Sequence, residues 1–270
     1  MKGLSKSRYT AFCQCPKNLW LKVYRPEEAT IDAGVEARFE QGNKVGDLAM
    51  GLFGEYKEAH AEKPDGSLDL AAMIEQTQQW MQQGVENICE ASFALDGHYC
   101  AVDILRKNGD GWDIYEVKSS SFPEEDGQEA KLEKYAPDIA YQKWLLTQCG
   151  VKVKGTYLVC LNSNYVRQGE LDLQKLFAVI DLKEMVENEY LKVPNSVKLA
   201  LKVINNETEP DSTYQSIVRS LTNVSSSTTA NVSTAFQRTN RPSSTSIACR
   251  SRKHLTIIIM GKSFSTIWPL

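Results

Sequence analysis

Residues 90–120, EASFALDGHYCAVDILRKNGDGWDIYEVKSS, predict three short β segments joined by two tight turns. The apolar runs are separated by Asp96-Gly97 and by Asn108-Gly109-Asp110-Gly111. An Asx-Gly pair between apolar runs is a strong hairpin signal, because both residue types tolerate a positive φ. We expect the rest of the chain to be organised around this small sheet.

Three charged residues lie near one end of these segments. Asp103 is in the second segment, and the third segment ends in Glu116, Val117 and Lys118. Side chains alternate faces along a strand, so Glu116 and Lys118 share a face while Val117 points to the opposite layer. On a neighbouring antiparallel strand, Asp103 can stand across from them. The pattern therefore predicts two carboxylates and one ammonium at one edge of a sheet.

Such a group has an obvious chemical use. Carboxylates are the ligands that a hard cation such as Mg²⁺ prefers, and that cation can bridge to a substrate phosphate. A nearby lysine adds a positive charge that can hold a phosphate or an attacking water. The alternative is a surface hairpin with ordinary solvated charges, because a lone D…ExK match is short and has a high false-positive rate.

Composition indicates a globular chain with a real core. Its 270 residues are 42% hydrophobic and 24% charged. No run approaches the roughly 20 apolar residues of a membrane span, and the first residues lack the apolar core of a signal peptide. The seven cysteines are irregularly spaced, which argues against a disulfide framework. We expect a cytoplasmic protein with no membrane partner.

The net charge of −3 hides an asymmetry along the chain. Residues 211–270 hold seven basic residues and one acid, so the preceding part is acidic. An acidic body does not exclude nucleic acid, because binding depends on a local basic stripe. The candidates for nucleic-acid contacts are Lys6, Arg8, Lys131, Lys134 and Lys143.

Periodicity elsewhere predicts helices on both sides of the sheet. Helical spacing extends over residues 4–22 with a break at Cys15-Pro16, and over residues 32–53, 68–86, 137–149 and 182–205. Residues 154–162 predict a fourth β segment, and residues 165–182 a turn followed by a strand or a short helix. This order predicts an α/β fold with a central mixed sheet flanked by helices.

Seven segments, in this order, resemble motifs of the PD-(D/E)XK nucleases, and within them the RecB-like and CRISPR-associated iron–sulfur exonuclease group. These segments are LSKSRYTAFCQCPKNLWL (4–21), GNKVGDLA (42–49), CEASF (89–93), AVDIL (101–105), YEVKSS (115–120), DIAYQKWLL (138–146) and LNSNYVRQGELD (161–172). The resemblance covers roughly residues 4–190, and several matches on suitable elements are far more specific than one. It implies a restriction-endonuclease-like fold over residues 1–206.

The resemblance also implies roles for individual residues. Asp103 and Glu116 correspond to metal ligands, with the Val117 carbonyl as a third. Lys118 corresponds to the residue that orients or activates water, and Gln142 to a glutamine that steers substrate. The expected cofactor is Mg²⁺ or Mn²⁺, and the expected partner is DNA with single-stranded or duplex ends.

The function implied is metal-dependent hydrolysis of DNA phosphodiester bonds, with an exonuclease favoured over an endonuclease. The metal polarises the phosphodiester and lowers the pKa of a bound water. The alternative is a non-catalytic nucleic-acid-binding module that keeps the same fold.

Some positions depart from the family pattern. Glu90 corresponds either to an outer-sphere ligand or to a structural residue. Leu146 replaces a tyrosine that often follows the glutamine. The helix containing GNKVGDLA lacks the metal-binding histidine of many RecB-like enzymes, and His60 and His98 are poor substitutes. A weaker metal site, or one completed by water, is expected.

Residues 207–270 have a different composition and are expected to be a disordered tail, rich in Ser and Thr and basic. In the family this region supplies three cysteines that join an N-terminal one, here Cys13 or Cys15, around a [4Fe–4S] cluster. The tail contains only Cys249, so we expect no cluster in this chain. A frameshifted or truncated C-terminus would explain this. With suitable codons, a shifted frame over Ile217 to Val224 reads Cys-Ala-Lys-Pro-Tyr-Glu-Cys.

Overall fold

The computed structural model describes residues 2–29, 33–122 and 132–210. Lys131 and nearly all of the predicted tail lie outside these ranges, so the expectations for the tail, including disorder and a frameshift, concern residues that are not described. None of the helices within the described ranges is long and apolar enough to span a lipid bilayer.

The described residues form seven strands and eight α-helices. The strands are β1 (Leu4–Ser5), β2 (Lys57–Glu58), β3 (Asn87–Leu95), β4 (His98–Asn108), β5 (Gly111–Phe122), β6 (Val153–Asn162) and β7 (Phe177–Asp181). The helices are α1 (Lys6–Gln14), α2 (Pro16–Tyr24), α3 (Ala33–Met50), α4 (Leu70–Gln83), α5 (Ala136–Gln148), α6 (Leu173–Leu176), α7 (Lys183–Tyr190) and α8 (Val193–Ile204). Short 3-10 turns lie at Pro26–Glu28, Gly51–Phe53 and Glu133–Tyr135.

Within these residues the strands form one mixed sheet in the order β2-β3-β4-β5-β6-β7, with β1 paired to β4. The neighbours β3–β4, β4–β5 and β6–β7 are antiparallel, whereas β1–β4, β2–β3 and β5–β6 are parallel. The predicted α/β class with a central mixed sheet is confirmed.

Two apolar cores cover the two faces of the sheet. The larger core joins the sheet to α1, α2, α5, α7 and α8, and its most enclosed side chains include Phe12, Tyr141 and Leu145. The smaller core lies under α3 and the turn at Gly51–Phe53 and includes Ile104 and Tyr115. Helices flank both faces, as the sequence predicts.

The two predicted hairpins are present. Asp96 and Gly97 both have a positive φ, 50° and 79°, between the paired residues Leu95 and His98. At the second turn Asn108 pairs with Gly111, and Gly109 has a φ of 59°. A left-handed backbone is tolerated by Asp and favoured by Gly, which is why these dipeptides give tight turns.

The predicted helix over residues 182–205 is in fact two helices, α7 and α8. The break falls at Leu191 and Lys192, just before Pro194. Proline has no N–H to donate and its ring disfavours a continuous helix, so α8 begins with Pro194 in its first turn. Apolar periodicity continues across the break, and for that reason it does not reveal the break.

Candidate metal and nucleic-acid site

A fork between β4 and β5 creates the candidate site. The two strands pair only from Ile104↔Tyr115 to Asn108↔Gly111, and the start of β4 pairs instead with β1 through Leu4↔His98 and Ser5↔Tyr99. Strand β3 occupies the other edge of β4, so β1 takes the edge that β5 has left. Charged side chains can therefore enter the sheet where β4 and β5 separate.

Asp103 lies at the point where the fork opens, one position beyond the last β4–β5 pair. Its Oδ2 accepts a hydrogen bond from the Val117 backbone N–H at 2.7 Å. The carboxylate therefore supplies the acceptor that a paired strand would otherwise provide. Val117 presents its N–H to this aspartate, and its side chain packs against the smaller core.

Simple alternation of faces fails at this point. Val102 belongs to the larger core and Ile104 to the smaller one, although they are two residues apart. On the neighbouring strand Glu90, with a φ of 52°, lies between the two residues that pair with Ile104 and Val102. A positive φ is uncommon for a residue other than glycine, and such conformations concentrate at functional sites. Both strands thus change face together beside Asp103.

Lys6 follows β1 directly, and its side chain enters the fork. It is the first residue of α1, which Ser5 caps through a hydrogen bond from the Arg8 N–H at 3.4 Å. The Lys6 Nζ lies 3.5 Å from Asp103 Oδ1 and 3.2 Å from Glu116 Oε2. One ammonium therefore touches two carboxylates that come from different strands.

Lys118 extends from β5 on the same side as Glu116. Its ammonium contacts the Glu116 carboxylate and lies 3.1 Å from Asp138 Oδ2. Glu116 is almost fully enclosed, with 1% of its side chain exposed. Lys118 therefore joins the acid of β5 to an acid of α5.

Helix α5 closes the site with Asp138 and Gln142, which are one turn apart. Gln142 Nε2 donates to Glu116 Oε2 at 2.6 Å and to Asp138 Oδ1 at 3.3 Å. The Oε1 of this buried amide has no hydrogen-bond partner among the residues that the structure describes. Buried amide oxygens are usually bonded, so this one has acceptor capacity left over.

The charges shift each other's pKa values. Burial by itself would raise the pKa of Glu116, but Lys118 and Lys6 outweigh burial and hold that pKa well below its usual range. Burial and repulsion by Glu116 raise the pKa of Asp103 to about 7, against the attraction of Lys6 and Lys118. Burial and repulsion by Glu116 also raise the pKa of Asp138.

The two lysines stay charged because neighbouring carboxylates raise their pKa values more than burial lowers them. Burial would lower the pKa of Lys118, but Glu116 and Asp138 hold it above its ordinary value. Burial would also lower the pKa of Lys6, and Asp103, Glu116, Asp138 and Glu90 together raise it well above that value. At neutral pH the site therefore holds two ammonium groups and an ionised Glu116, and the raised pKa values of Asp103 and Asp138 favour protonation of those two carboxyl groups.

The donor chemistry fits a hard divalent cation. Mg²⁺ is commonly held by one or two carboxylates and several waters, and Asp103 and Glu116 offer two carboxylates around one position. Within residues 2–29, 33–122 and 132–210, no group of three or more His, Cys, Asp or Glu is arranged as a metal site. Any such ion would therefore rely on these two acids and on water.

The other predicted site residues lie in varied surroundings. Glu90 acts on both Lys6 and Asp103 through its charge. Cys13 is exposed and Cys15 is half-buried, and both are free thiols. The structure brings neither thiol into contact with the charged residues described above.

Each described basic residue predicted to contact nucleic acid interacts with another group of the chain. Arg8 donates to the Gly3 carbonyl at 2.6 Å, and Lys134 lies 4.7 Å from the centre of the Tyr135 ring. Lys143 forms an ion pair with Glu187. Lys6 is turned into the carboxylates, and Lys131 is outside the described residues.

The two described histidines, His60 and His98, have partners outside the charged site. His60 lies 3.2 Å from Glu62 on the surface, and His98 packs edge-on against the Trp144 ring. Leu146, the residue that replaces a tyrosine of the family, is fully buried in the larger core.

Asp138 is a site residue that the sequence reasoning missed. It stands four residues before Gln142 in DIAYQ, and positions four apart share one face of a helix. That spacing was the available signal. The contact of Lys6 with two acids has no comparable local signal, because it depends on the pairing of β1 with β4.

No protein-family model matches the chain, and no curated protein matches its sequence.

Proposed function

We propose that this chain is a metal-dependent nuclease of the PD-(D/E)XK type that hydrolyses DNA phosphodiester bonds, with an exonuclease favoured over an endonuclease. The observation that carries the proposal is the approach of Asp103 and Glu116 to one shared cation, the Lys6 ammonium. Two acids from separate strands that share a cation are what a two-carboxylate site for Mg²⁺ or Mn²⁺ needs.

Asp103 and Glu116 would hold the metal ion, and the Gln142 amide, whose Oε1 has no hydrogen-bond partner among the described residues, contacts Glu116. When bound, such an ion stabilises negative charge on the phosphodiester and lowers the pKa of a coordinated water. The chain itself keeps Glu116 ionised and in place, because Lys118, Lys6 and Gln142 all contact its carboxylate.

Lys118 acts in this proposal as a fixed positive charge and not as a base. Its raised pKa keeps the ammonium protonated at neutral pH. A cation held beside the reacting phosphate stabilises the negative charge that develops in the transition state. Asp138 is a positioning residue in this proposal, because its Oδ2 lies 3.1 Å from that ammonium.

Cleavage assays with matched variants test the proposal. Labelled single-stranded and duplex DNA is incubated with the protein in Mg²⁺, in Mn²⁺ or in EDTA. We expect shortened products only with metal, and about a 100-fold or greater loss in Asp103→Asn and Lys118→Met. The control is Lys152→Met, whose ammonium pairs with Asp110 at the far end of β5 and which should cleave like the wild type.

Labels at the 5′ end, at the 3′ end and inside a closed circle separate exonuclease from endonuclease action. Cleavage that is unchanged in both Asp103→Asn and Lys118→Met, with folding intact by circular dichroism, would remove the assignment. Cleavage that persists in EDTA would remove the metal dependence.

The second candidate is a non-catalytic nucleic-acid-binding module. It is favoured by the way the lysines already neutralise the acids, and by the positions of His60 and His98 away from them. Fluorescence anisotropy with the same DNA distinguishes the two candidates. Binding without shortened products in either metal supports the module.

A further inference from the structure

The ammonium of Lys6 occupies the position between the two acids of the proposed metal site. It lies 3.5 Å from Asp103 Oδ1, and 3.2 and 3.5 Å from the two Glu116 oxygens. Charge-assisted bonds between an ammonium and a carboxylate are usually about 2.7–2.9 Å long. Lys6 is thus shared loosely by both acids, whereas Lys118 contacts Glu116 and Asp138.

The backbone holds Lys6 in place while its side chain remains adaptable. Strand β1 is paired with β4, and the Leu4 carbonyl accepts a hydrogen bond from the Tyr141 hydroxyl at 2.6 Å. The Lys6 carbonyl accepts a further bond from Thr10 Oγ1 at 2.8 Å. Four rotatable carbons separate this anchored backbone from the ammonium, and 22% of the side chain is exposed.

We infer that Lys6 is the resident counter-cation of the site, and that a divalent metal ion must displace its ammonium in order to bind Asp103 and Glu116 together. The inference rests on the proposed function. An ion bound to both acids would take the position between them that the Lys6 ammonium holds, 3.5 Å from Asp103 Oδ1 and 3.2 Å from Glu116 Oε2. Two cations there would repel each other strongly in a poorly solvated setting, so the partly exposed Lys6 side chain would swing outward.

Metal affinity is the direct test, because displacing an ammonium weakens binding. Mn²⁺ alone is titrated by isothermal calorimetry into the wild type, Lys6→Met, Lys6→Arg and Asp103→Asn. We expect Lys6→Met to bind Mn²⁺ about tenfold or more tightly than the wild type, because no cation has to leave. Lys6→Arg keeps a cation and should stay near the wild type, as should the distant control Lys152→Met.

Each outcome bears on the inference. Mn²⁺ affinity in Lys6→Met that is equal to or weaker than that of the wild type overturns it. If Asp103→Asn then loses Mn²⁺, the metal part of the proposed function still stands. Tighter Mn²⁺ binding by Lys6→Met supports the inference. If the wild type then cleaves no DNA in Mn²⁺, the nuclease proposal is removed although the inference stands. Absence of binding in both the wild type and Lys6→Met overturns both.

If Lys6→Met does not fold without metal, Lys6→Gln takes its place in the titration. The neutral amide can donate a hydrogen bond to Glu116 without competing as a charge. Thermal denaturation with increasing Mn²⁺ gives an independent affinity, since a ligand that binds only the folded state raises its stability by mass action.

Discussion

The two ends of the β4–β5 pair carry similar charges in opposite environments. At the hairpin end Asp110 pairs with Lys152 and Lys154 on the surface, with 67% of the Asp110 side chain exposed. At the fork, Glu116 also meets two lysines, but 1% of its side chain is exposed. At the hairpin end water can solvate a charge that loses its partner, so each ion pair contributes little to stability. At the fork a buried charge that loses its partner is poorly solvated, so removing any partner costs stability.

The exposed ion pairs of Asp110 therefore serve as a control for the buried ion pairs of Glu116. Both ends have an acid with two lysine partners, and both use strand β5 or the turn that precedes it. The comparison separates what an ion pair does from what burial adds. It can be tested by changing equivalent charges at the two ends.

Glu116→Ala should have the largest effect on stability. It leaves Lys6 and Lys118 without the acid that lies between them, and breaking a buried pair costs about 3–5 kcal/mol of unfolding free energy. Asp110→Ala at the hairpin end should change little, because its lysines are solvated. Urea denaturation of both variants measures the contrast. Equal losses at the two ends would contradict the distinction.

Asp138→Ala should have a smaller effect. Lys118 loses one of its two acids but keeps Glu116, so we expect a cost of about 1–3 kcal/mol. The same unfolding experiment reports it. If Asp138 positions the ammonium, the DNA-cleavage rate should fall more in Asp138→Ala than the fraction of unfolded protein explains. Full activity per folded molecule would leave Asp138 a purely structural role.

A third effect concerns the pH dependence of stability, which we expect to change at Asp103. Its pKa is raised to about 7 in the folded chain, so between pH of about 4 and 7 the folded state binds more protons than the unfolded state. The stability contributed by Asp103 is therefore present at low pH and is lost as the pH rises through 7.

Asp103→Asn in EDTA should remove this slope while keeping an acceptor for the Val117 N–H. Relative to the wild type, the variant should gain stability as the pH rises from 4.5 to 7.5, measured by urea unfolding at several pH values. A difference that does not vary with pH would show that Asp103 is already ionised throughout.

The turns, the strands and the relation between Glu116 and Lys118 could all be read locally. Asp96-Gly97 and Asn108-Gly109 force tight hairpins through their backbone preferences, and period two places Glu116 and Lys118 on one side. The position of Gln142 beside the sheet was also expected, and its amide does contact Glu116.

The face change at Glu90 and Asp103 could not be read from alternation. It arises where β5 leaves β4 and β1 takes its place, which is a property of strands far apart in sequence. The division of residues 182–205 into α7 and α8 was signalled by Pro194, but apolar spacing that continues through the break outweighed that signal.

The sequence by itself determined the α/β class, the hairpins and the acids that share β4 and β5, because these follow from local backbone preference and periodic burial. Only the tertiary structure decided that Lys6 and Asp138 join those acids. Their contacts span separations of 110 residues for Lys6 with Glu116 and 20 for Asp138 with Lys118. Such contacts depend on which strand fills the fork and where a helix packs, whereas the local spacing of Asp138 and Gln142 indicates only that these two residues share one helix face.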